Sequence, residues 1–282
     1  MSEKIDTALR WATAEIRYYS DSARLDAELL LSHCLGKPRS YLYSWPETTL
    51  SESCWRCFRE LVRRRLQPTP VAYLLGRREF YSLDYATTPA ALVPRPETEL
   101  LVELALARLP AERPWCICDL GTGSGIIAVT IAAQRSDCRV CATDIDPECL
   151  SLARENARRH GVEVEFFEAD WYRGLPSESS FDLILSNPPY IAAGHPFLAQ
   201  GDLPAEPPLA LTPGPTGLEA LQKIIGGAPG FLRPGGMLMV EHGYDQQAAV
   251  AGLLAAAGFD DIGCEVDFND LPRVSSGKLT AR

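Results

Sequence analysis

The sequence predicts an α/β protein in which a helical N-terminal bundle is joined by a β-hairpin to a doubly wound domain. From residue 114 onward, short apolar runs alternate with helical segments, as in a parallel sheet covered by helices on both faces. Residues 1–75 show only the apolar spacing of helices, and residues 78–93 alternate as a short hairpin does. We therefore expect a helical domain at 1–75, a hairpin linker at 76–93 and a doubly wound domain at 94–282.

Turn and cap residues set the helix boundaries of the N-terminal part. Residues 36–38, Gly-Lys-Pro, are expected to end the second helix, and Ser51 or Ser53 is expected to cap a further helix that runs through Leu66. The basic run at 63–65 lies on that helix. We interpret it as a solvated face, with recognition of a partner as the alternative.

The doubly wound part is predicted from its apolar strand segments and the helices between them. Strands are expected at 115–120, 139–144, 163–168, 181–186, 236–241 and 262–267, with a short last strand near 278–281. Helices are expected at 100–109, 126–135, 147–160, 217–228 and 246–257. Residues 232–236, before the fifth strand, fit the same architecture, with an ordinary turn as the alternative. A long, proline-rich segment lies at 192–216, and loops of that length usually carry function.

Charge and apolar runs limit the possible partners. The net charge is −10. Residues 1–75 hold 11 basic against 9 acidic residues, and the remainder holds 16 against 28. An acidic second part argues against tight binding of a phosphate backbone, so we expect no nucleic-acid partner. No apolar run approaches the roughly 18 residues of a membrane span, and no apolar signal core follows the first methionine, so we expect a cytoplasmic protein without a membrane partner.

Two cysteine pairs have the spacing of metal ligands. Cys54 and Cys57 fall on a predicted helix, whereas Cys138 and Cys141 fall on a strand of the other domain. Because the two pairs belong to different domains, we interpret all four as buried free thiols and expect no metal.

A glycine-rich loop follows the first strand of the doubly wound part. Its residues are Gly121, Thr122, Gly123, Ser124 and Gly125. The spacing differs from that of dinucleotide binders, and no Lys-Ser or Lys-Thr pair marks a phosphate loop. A nucleoside without pyrophosphate fits better, which suggests S-adenosylmethionine (SAM); a plain tight turn is the alternative.

Two further side chains end the next strands. Asp144 can accept hydrogen bonds from both hydroxyls of a ribose, although an Asp at a strand end is often a helix cap, a role that Asp146 could fill instead. Trp171 offers a flat apolar wall, although packing in the core is as good an interpretation. The series of strand-end groups is more specific than any one member.

The fourth strand end carries Asn187, Pro188, Pro189 and Tyr190. Two prolines make a stiff loop with free carbonyls. The carboxamide oxygen of Asn187 and the carbonyl of Pro188 can both accept from one planar NH2 group, on which Tyr190 can stack. Such a group is either an amide or an exocyclic base amine.

These motifs resemble those of the HemK/PrmC-type methyltransferases, which modify the side-chain amide of a glutamine in peptide chain release factors. The resemblance covers nearly the whole chain. Its segments are residues 71–76, 94–99, 119–125, 170–171, 186–190, 206–211 and 241–246. One departure is Thr216, where such proteins usually carry an Asp before the glycine that opens the next helix.

The resemblance implies a Rossmann-like class I SAM-dependent methyltransferase domain that modulates translation termination by modifying the glutamine of a Gly-Gly-Gln motif. We expect the protein to be a monomer. The resemblance also implies that the glycine loop, Asp144, Trp171 and Asn187 contact SAM, and that the Asn-Pro-Pro-Tyr loop holds the glutamine. The helical domain would recognise the protein substrate, so its deletion should raise the substrate KM far more than that of SAM.

Three classes of function remain open at this point. The chain could be a protein-glutamine methyltransferase, an adenine-amine methyltransferase, since those enzymes share Asn-Pro-Pro-Tyr, or a SAM-binding regulator without catalysis. The acidic second part and the helical N-terminus favour the first class over the second. An intact Asn-Pro-Pro-Tyr loop disfavours the third.

Overall fold

The computed structural model describes residues 3–110 and 113–280 and divides into two compact units. The first unit runs to Arg77 and also includes Ala199–Ala205. The second unit consists of Arg78–Leu198 and the chain from Glu206 onward.

The first unit is helical. Its helices are α1 (Ile5–Ile16), α2 (Ala23–Leu35), α3 (Arg39–Ser44), α4 (Glu52–Arg65) and α5 (Val71–Leu75). Leu9, Leu30 and Phe58 are fully buried in its core. The predicted boundaries are confirmed: Gly36 ends α2 with a φ of 62°, and the Ser51 hydroxyl accepts from the Cys54 amide at the start of α4.

The basic run at 63–65 is not uniformly solvated. Arg65 is 3 % exposed and donates to Asp26 Oδ2 at 2.8 Å and to Asp202 Oδ1 at 2.7 Å, within the first unit. The solvated-face interpretation is therefore wrong for Arg65 and holds for Arg63 and Arg64, which are exposed. Arg65 lies on the same side of α4 as the buried Leu61 and Val62, which the charge pattern alone does not reveal.

The second unit opens with a two-stranded hairpin and continues as a seven-stranded sheet with helices. The strands are β1 (Arg77–Phe80) and β2 (Leu83–Ala86) of the hairpin, then β3 (Cys116–Leu120), β4 (Arg139–Asp144), β5 (Glu165–Glu168), β6 (Phe181–Ser186), β7 (Leu232–Glu241), β8 (Phe259–Val266) and β9 (Pro272–Leu279). The helices are α6 (Thr98–Ala107), α7 (Ile126–Gln134), α8 (Pro147–His160), α9 (Pro208–Leu211), α10 (Glu219–Gly227) and α11 (Gln247–Ala256). Short 3-10 helices lie at Pro196–Ala199 and Ala228–Gly230, and a third, Leu203–Ala205, belongs to the first unit.

The large sheet has the strand order β5-β4-β3-β6-β7-β9-β8. The first five of these strands are parallel, and β9 runs antiparallel to both of its neighbours. Successive residues of β6 face opposite cores: Leu183 and Leu185 pack with α6 and α7, whereas Ile184 packs with α10 and α11. The predicted doubly wound α/β fold is confirmed, with its topological switch point at β3.

The last strands depart from the prediction. Strand β7 begins at Leu232, four residues before the predicted start at Gly236. Leu232 pairs with Phe181 and Met237 with Leu183, so the register shifts between these two pairs, where Gly235 has a φ of 77°. Strand β9 is longer than predicted and begins at Pro272, because pairing with both β7 and β8 holds a segment that contains Ser and Gly. Ala281, the end of the predicted last strand, lies outside the described residues.

The thiols differ in exposure. Cys54 and Cys141 are buried as predicted, but Cys57 is exposed and Cys138 is only half-buried, so the buried-thiol interpretation is wrong for Cys57. Among the helices of the described residues, none is both long enough and apolar enough to cross a membrane.

Candidate functional site

The glycine loop turns between β3 and α7 through left-handed backbone conformations. The φ angles of Gly121, Gly123 and Gly125 are 70°, 55° and 84°, which L side chains adopt only with strain. Thr122 donates to Asp119 Oδ2 at 2.6 Å and so ties the loop to the end of β3. Burial raises the pKa of Asp119 to about 7.

Asp144 lies at the carboxyl end of β4 and holds the glycine loop from the side. Its Oδ2 accepts from the Gly123 amide at 2.8 Å, and its Oδ1 accepts from the Asp146 amide at 3.0 Å. Burial raises the pKa of Asp144. Asp146 caps α8 by accepting from the Glu148 amide, which confirms the cap interpretation for Asp146 rather than Asp144. Each oxygen of Asp144 keeps a lone pair for a further donor.

Trp171 packs against the same loop. A Cβ built on Gly121 would lie 3.0 Å from Cζ3 of the indole, so a side chain larger than glycine would displace one or the other. Trp171 is half-buried and has a φ of 57°, an uncommon conformation that clusters at functional sites. Three of the sequence-predicted cofactor groups thus come together at neighbouring strand ends.

Asn187 follows β6 and is held by one hydrogen bond. Its Nδ2 donates to Thr98 Oγ1 at 2.9 Å, and Thr98 in turn donates to Glu241 Oε2 at 2.8 Å. Within residues 3–110 and 113–280, no group donates to Asn187 Oδ1 or to the carbonyl of Pro188. Two acceptors on a stiff loop therefore remain available.

Tyr190 is fixed at both ends. Its hydroxyl donates to Glu241 Oε1 at 3.2 Å, and its carbonyl accepts from Gln246 Nε2 at 3.0 Å. Gln246 Oε1 accepts from the Gly243 amide at 2.9 Å, which orients the amide of Gln246. The segment 241–246 therefore braces the Asn-Pro-Pro-Tyr loop from the end of β7.

Glu241 is the buried centre of this bracing. It is 1 % exposed, and burial raises its pKa to about 7 against the opposing effects of Thr98, Arg273 and Tyr190. Val240 pairs with Ser186, so Glu241 leaves β7 beside the point where Asn187 leaves β6. Burial also raises the pKa of Tyr190.

The proline-rich segment is tied to the loop before α6. Glu206 Oε2 accepts from the Val93 amide at 3.0 Å, and Glu206 Oε1 accepts from Arg95. Glu206 is 3 % exposed. This pair gives Arg95 a structural partner within the second unit.

Thr216, two residues before the N-cap of α10, is hydrogen-bonded to Glu219, the first residue of that helix. The Glu219 carboxylate accepts from both the amide and the hydroxyl of Thr216 at 2.8 Å, and the Thr216 hydroxyl accepts from the Leu218 amide at 3.2 Å. Thr216 therefore ties the segment before α10 to the first residue of that helix, at the position where the resemblance led us to expect Asp.

Four bracing residues were not predicted as site residues: Thr98, Glu206, Glu241 and Gln246. Their signal was present, since all four lie in segments shared with the methyltransferases named above. Spacing alone could not assign them, because Thr98 and Glu241 are 143 residues apart and meet only through the sheet.

The groups at the strand ends fit a polar nucleoside ligand. In the described part of the chain, Asp119 Oδ1 and Thr143 Oγ1 are buried without a hydrogen-bond partner, and both lie at the carboxyl end of the sheet. Ligands of doubly wound folds bind there, at the switch point. The fold and this set of groups define a SAM-dependent methyltransferase.

Comparison with known proteins gives the family. Residues 7–76 match the PrmC N-terminal domain, and residues 97–200 match the methyltransferase small domain. The release factor glutamine methyltransferase of Burkholderia pseudomallei is 45% identical over 272 residues, 94% of this chain and 95% of that protein. The same-named proteins of Xylella fastidiosa and Vibrio cholerae are 47% and 43% identical, covering 90% and 99% of this chain and 93% and 98% of theirs. The chain belongs to the release factor glutamine methyltransferase family.

Solved structures agree on the fold. A methyltransferase from Pyrococcus furiosus matches with a TM-score of 0.54 at 19% identity, over 71% of this chain and 91% of that one. A Thermus thermophilus 16S rRNA N2 G1207 methyltransferase in complex with AdoMet and guanosine matches with a TM-score of 0.52 at 21% identity, over 72% and 49%. At such identities the likeness concerns the fold alone.

Proposed function

We propose that this chain transfers the methyl group of SAM to the side-chain amide nitrogen of the glutamine in the Gly-Gly-Gln motif of peptide chain release factors, and so modulates translation termination. The observation that carries the proposal is the state of Asn187. Its nitrogen is bound to Thr98, which leaves Oδ1 and the Pro188 carbonyl as two acceptors for one NH2 group. Membership of the family supports an amide as that group.

The residues proposed to hold SAM lie along the carboxyl ends of β3, β4, β5 and β6. They are Gly121, Thr122, Gly123, Ser124, Gly125, Asp144, Trp171 and Asn187. Asp144 would accept from the ribose hydroxyls, and the Trp171 indole would wall the nucleoside. Bound there, SAM supplies an electrophilic methyl group on a sulfonium.

The residues proposed to act on the substrate are Asn187, Pro188, Pro189 and Tyr190. An amide nitrogen is a poor nucleophile because its lone pair is delocalised. Two fixed acceptors would draw both hydrogens to one side and turn the lone pair toward the methyl carbon. Orientation of this kind provides roughly 7–11 kcal/mol in favourable cases, and the acceptor dipoles match the positive charge that develops on nitrogen.

The same pair of acceptors would reject glutamate. A glutamate carboxylate has no hydrogens to donate, and each buried acceptor left empty costs about 1–3 kcal/mol. We propose no general base, because an N-methylated amide cation loses its proton readily. His195, the nearby histidine, is exposed and accepts from the Phe197 amide.

Further parts of the proposal concern partners and location. The helical domain at 1–75 would recognise the release factor, the hairpin at 76–93 would link it to the methyltransferase domain at 94–282, and the protein would act as a cytoplasmic monomer without a nucleic-acid partner. The net charge of the second part and the family of the PrmC N-terminal domain support these statements.

Methyl transfer from labelled SAM tests the proposal against its alternatives. The enzyme is incubated separately with a release factor, with a release factor whose Gly-Gly-Gln glutamine is replaced by alanine, and with DNA. Label on the intact release factor alone is the expected result. Label on DNA would support the adenine-amine class, and no label on any substrate would support a regulator that only binds SAM.

A further inference from the structure

A buried chain of hydrogen bonds runs from Asn187 through Thr98 to Glu241, and each bond in it has a defined donor and acceptor. A carboxylate only accepts hydrogen bonds, whereas a threonine hydroxyl carries a single hydrogen. Thr98 places that hydrogen on Glu241, so its oxygen can only accept from Asn187. The group of Asn187 that faces Thr98 must then be the NH2 group.

While Glu241 is ionised, geometry and burial preserve this direction of donation. Thr98 is 0 % exposed and Glu241 is 1 % exposed, so water does not compete for their hydrogen bonds. Thr98 begins α6, and Glu241 ends β7, so both side chains stand on regular elements rather than on loops. The second oxygen of Glu241 is occupied by the Tyr190 hydroxyl, which also donates.

We propose that Thr98 and Glu241 are positioning residues. They determine whether the oxygen or the NH2 group of the Asn187 carboxamide points toward the substrate. Because the NH2 group is held by Thr98, the oxygen is the group offered to a substrate amide. Rotation of the carboxamide by half a turn would offer a donor instead, and a donor opposes the NH2 of glutamine but suits the carboxylate of glutamate. The inference rests on the proposed function and adds a specificity device to it.

Substitutions at Thr98 test this device. Thr98→Val keeps the shape of the side chain and removes the hydroxyl, which frees the Asn187 carboxamide to rotate. We expect kcat on a release factor to fall roughly ten- to hundredfold, since one misplaced buried hydrogen bond costs that much, while the Kd of SAM stays within about threefold. Thr98→Ser restores the hydroxyl and should recover most of the lost turnover.

The preference for a glutamine over a glutamate substrate is a readout that a purely structural role of Thr98 would not change. Binding of the release factor is compared with that of its Gln→Glu variant, at a pH above the pKa of Glu241. In Thr98→Val the preference for Gln over Glu should shrink by roughly tenfold, because the rotated carboxamide accepts a carboxylate. Glu241→Gln should narrow the preference in the same direction, since a glutamine NH2 can donate to Thr98 and reverse the chain.

Thr130→Val is the matched control. Thr130 is equally buried and hydrogen-bonds Tyr85 at 2.7 Å, but it lies in α7 away from Asn187. It should lose stability without any change of preference. An unchanged preference in both Thr98→Val and Glu241→Gln, or equal losses in Thr98→Val and Thr98→Ser, would overturn the proposal. If the parent protein does not methylate the release factor, it is the proposed function that fails.

Discussion

A single donated hydrogen bond fixes the orientation of the Asn187 carboxamide. With Nδ2 on Thr98, the carboxamide presents an acceptor, and the Pro188 carbonyl beside it presents a second. Both belong to a loop stiffened by two prolines, so little conformational entropy is lost when a planar NH2 group binds. At the scale of residues, the account therefore depends on acceptors that are fixed before the substrate arrives.

Substitution of Asn187 tests these acceptors. Asn187→Ala should abolish methyl transfer while SAM still binds, because only one acceptor remains for the substrate. Asn187→Asp should keep partial activity, since it retains acceptors but adds a charge next to Thr98. Turnover measured with labelled SAM, alongside calorimetric binding of SAM, distinguishes these outcomes; near-normal turnover in Asn187→Ala would refute the double-acceptor mechanism.

At the same scale, substitution of Gly121 tests the proposed SAM site. Gly121→Ala should destabilise the fold by about 1–2 kcal/mol, the cost of a left-handed conformation for an L side chain, and should weaken SAM binding because the new Cβ meets Trp171 at 3.0 Å. Gly161→Ala is the control: its φ is 65°, but nothing lies within 4 Å of its Cβ. Both variants should unfold at lower denaturant concentration, and only Gly121→Ala should bind SAM less tightly. Equal SAM affinities would contradict the assignment of the glycine loop.

At the scale of elements, the sequence predicted what local patterns encode. The strands β4 and β6 and the helix α8 have the predicted bounds, because apolar runs and caps specify them directly. The side chains proposed to hold the cofactor could be placed at one edge of the sheet, because each follows a strand in chain order. The bracing by Glu241 and Gln246 could not, since it arises from contacts between β7, α6 and the loop after β6. For the same reason β9, which is held by pairing on both sides, was predicted too short.

The tie between Glu206 and the segment before α6 gives a prediction at this scale. Glu206→Ala leaves the Val93 amide and Arg95 without their acceptor, which should lower the free energy of unfolding by about 1–3 kcal/mol. Glu47→Ala removes an exposed partner of Lys4 and should have no measurable effect. Urea unfolding of the two variants provides the comparison, and equal midpoints would show that Glu206 does not brace the segment.

At the scale of the whole molecule, the first unit includes a short segment that lies, in sequence, between the two parts of the second unit. Ala199–Ala205 belongs to the first unit, where Asp202 pairs with Arg65. Deletion of residues 1–75 would therefore also remove the partners of this segment, so a rise in the substrate KM would not report on recognition alone. Substitutions of exposed residues such as Arg64 or Trp45 provide a cleaner test of the helical domain.

The stability of the whole protein should depend on pH through two buried carboxyl groups. Burial raises the pKa of Asp119 and of Glu241 to about 7, so these two groups bind more protons in the folded chain than in the unfolded one, and their contribution to the free energy of unfolding falls as pH rises. Their contribution is full below roughly pH 4 and is lost as pH passes about 7. Asp119→Asn should remove the contribution of Asp119 to this pH dependence. That contribution is a few kcal/mol of unfolding free energy over the whole range, at about 1.4 kcal/mol per pKa unit. Asp137→Asn, at an exposed ion pair, should leave the pH dependence unchanged, and an Asp119→Asn variant with the same pH dependence as the parent would contradict the prediction.

The central claim is that the amide of one glutamine receives the methyl group. Tandem mass spectrometry of a release factor incubated with the protein and SAM measures this directly. We predict the mass of one methyl group on the side chain of the Gly-Gly-Gln glutamine, present with the parent protein and absent with Asn187→Ala. A methyl group on any other residue, or on the release factor that lacks this glutamine, would contradict the account.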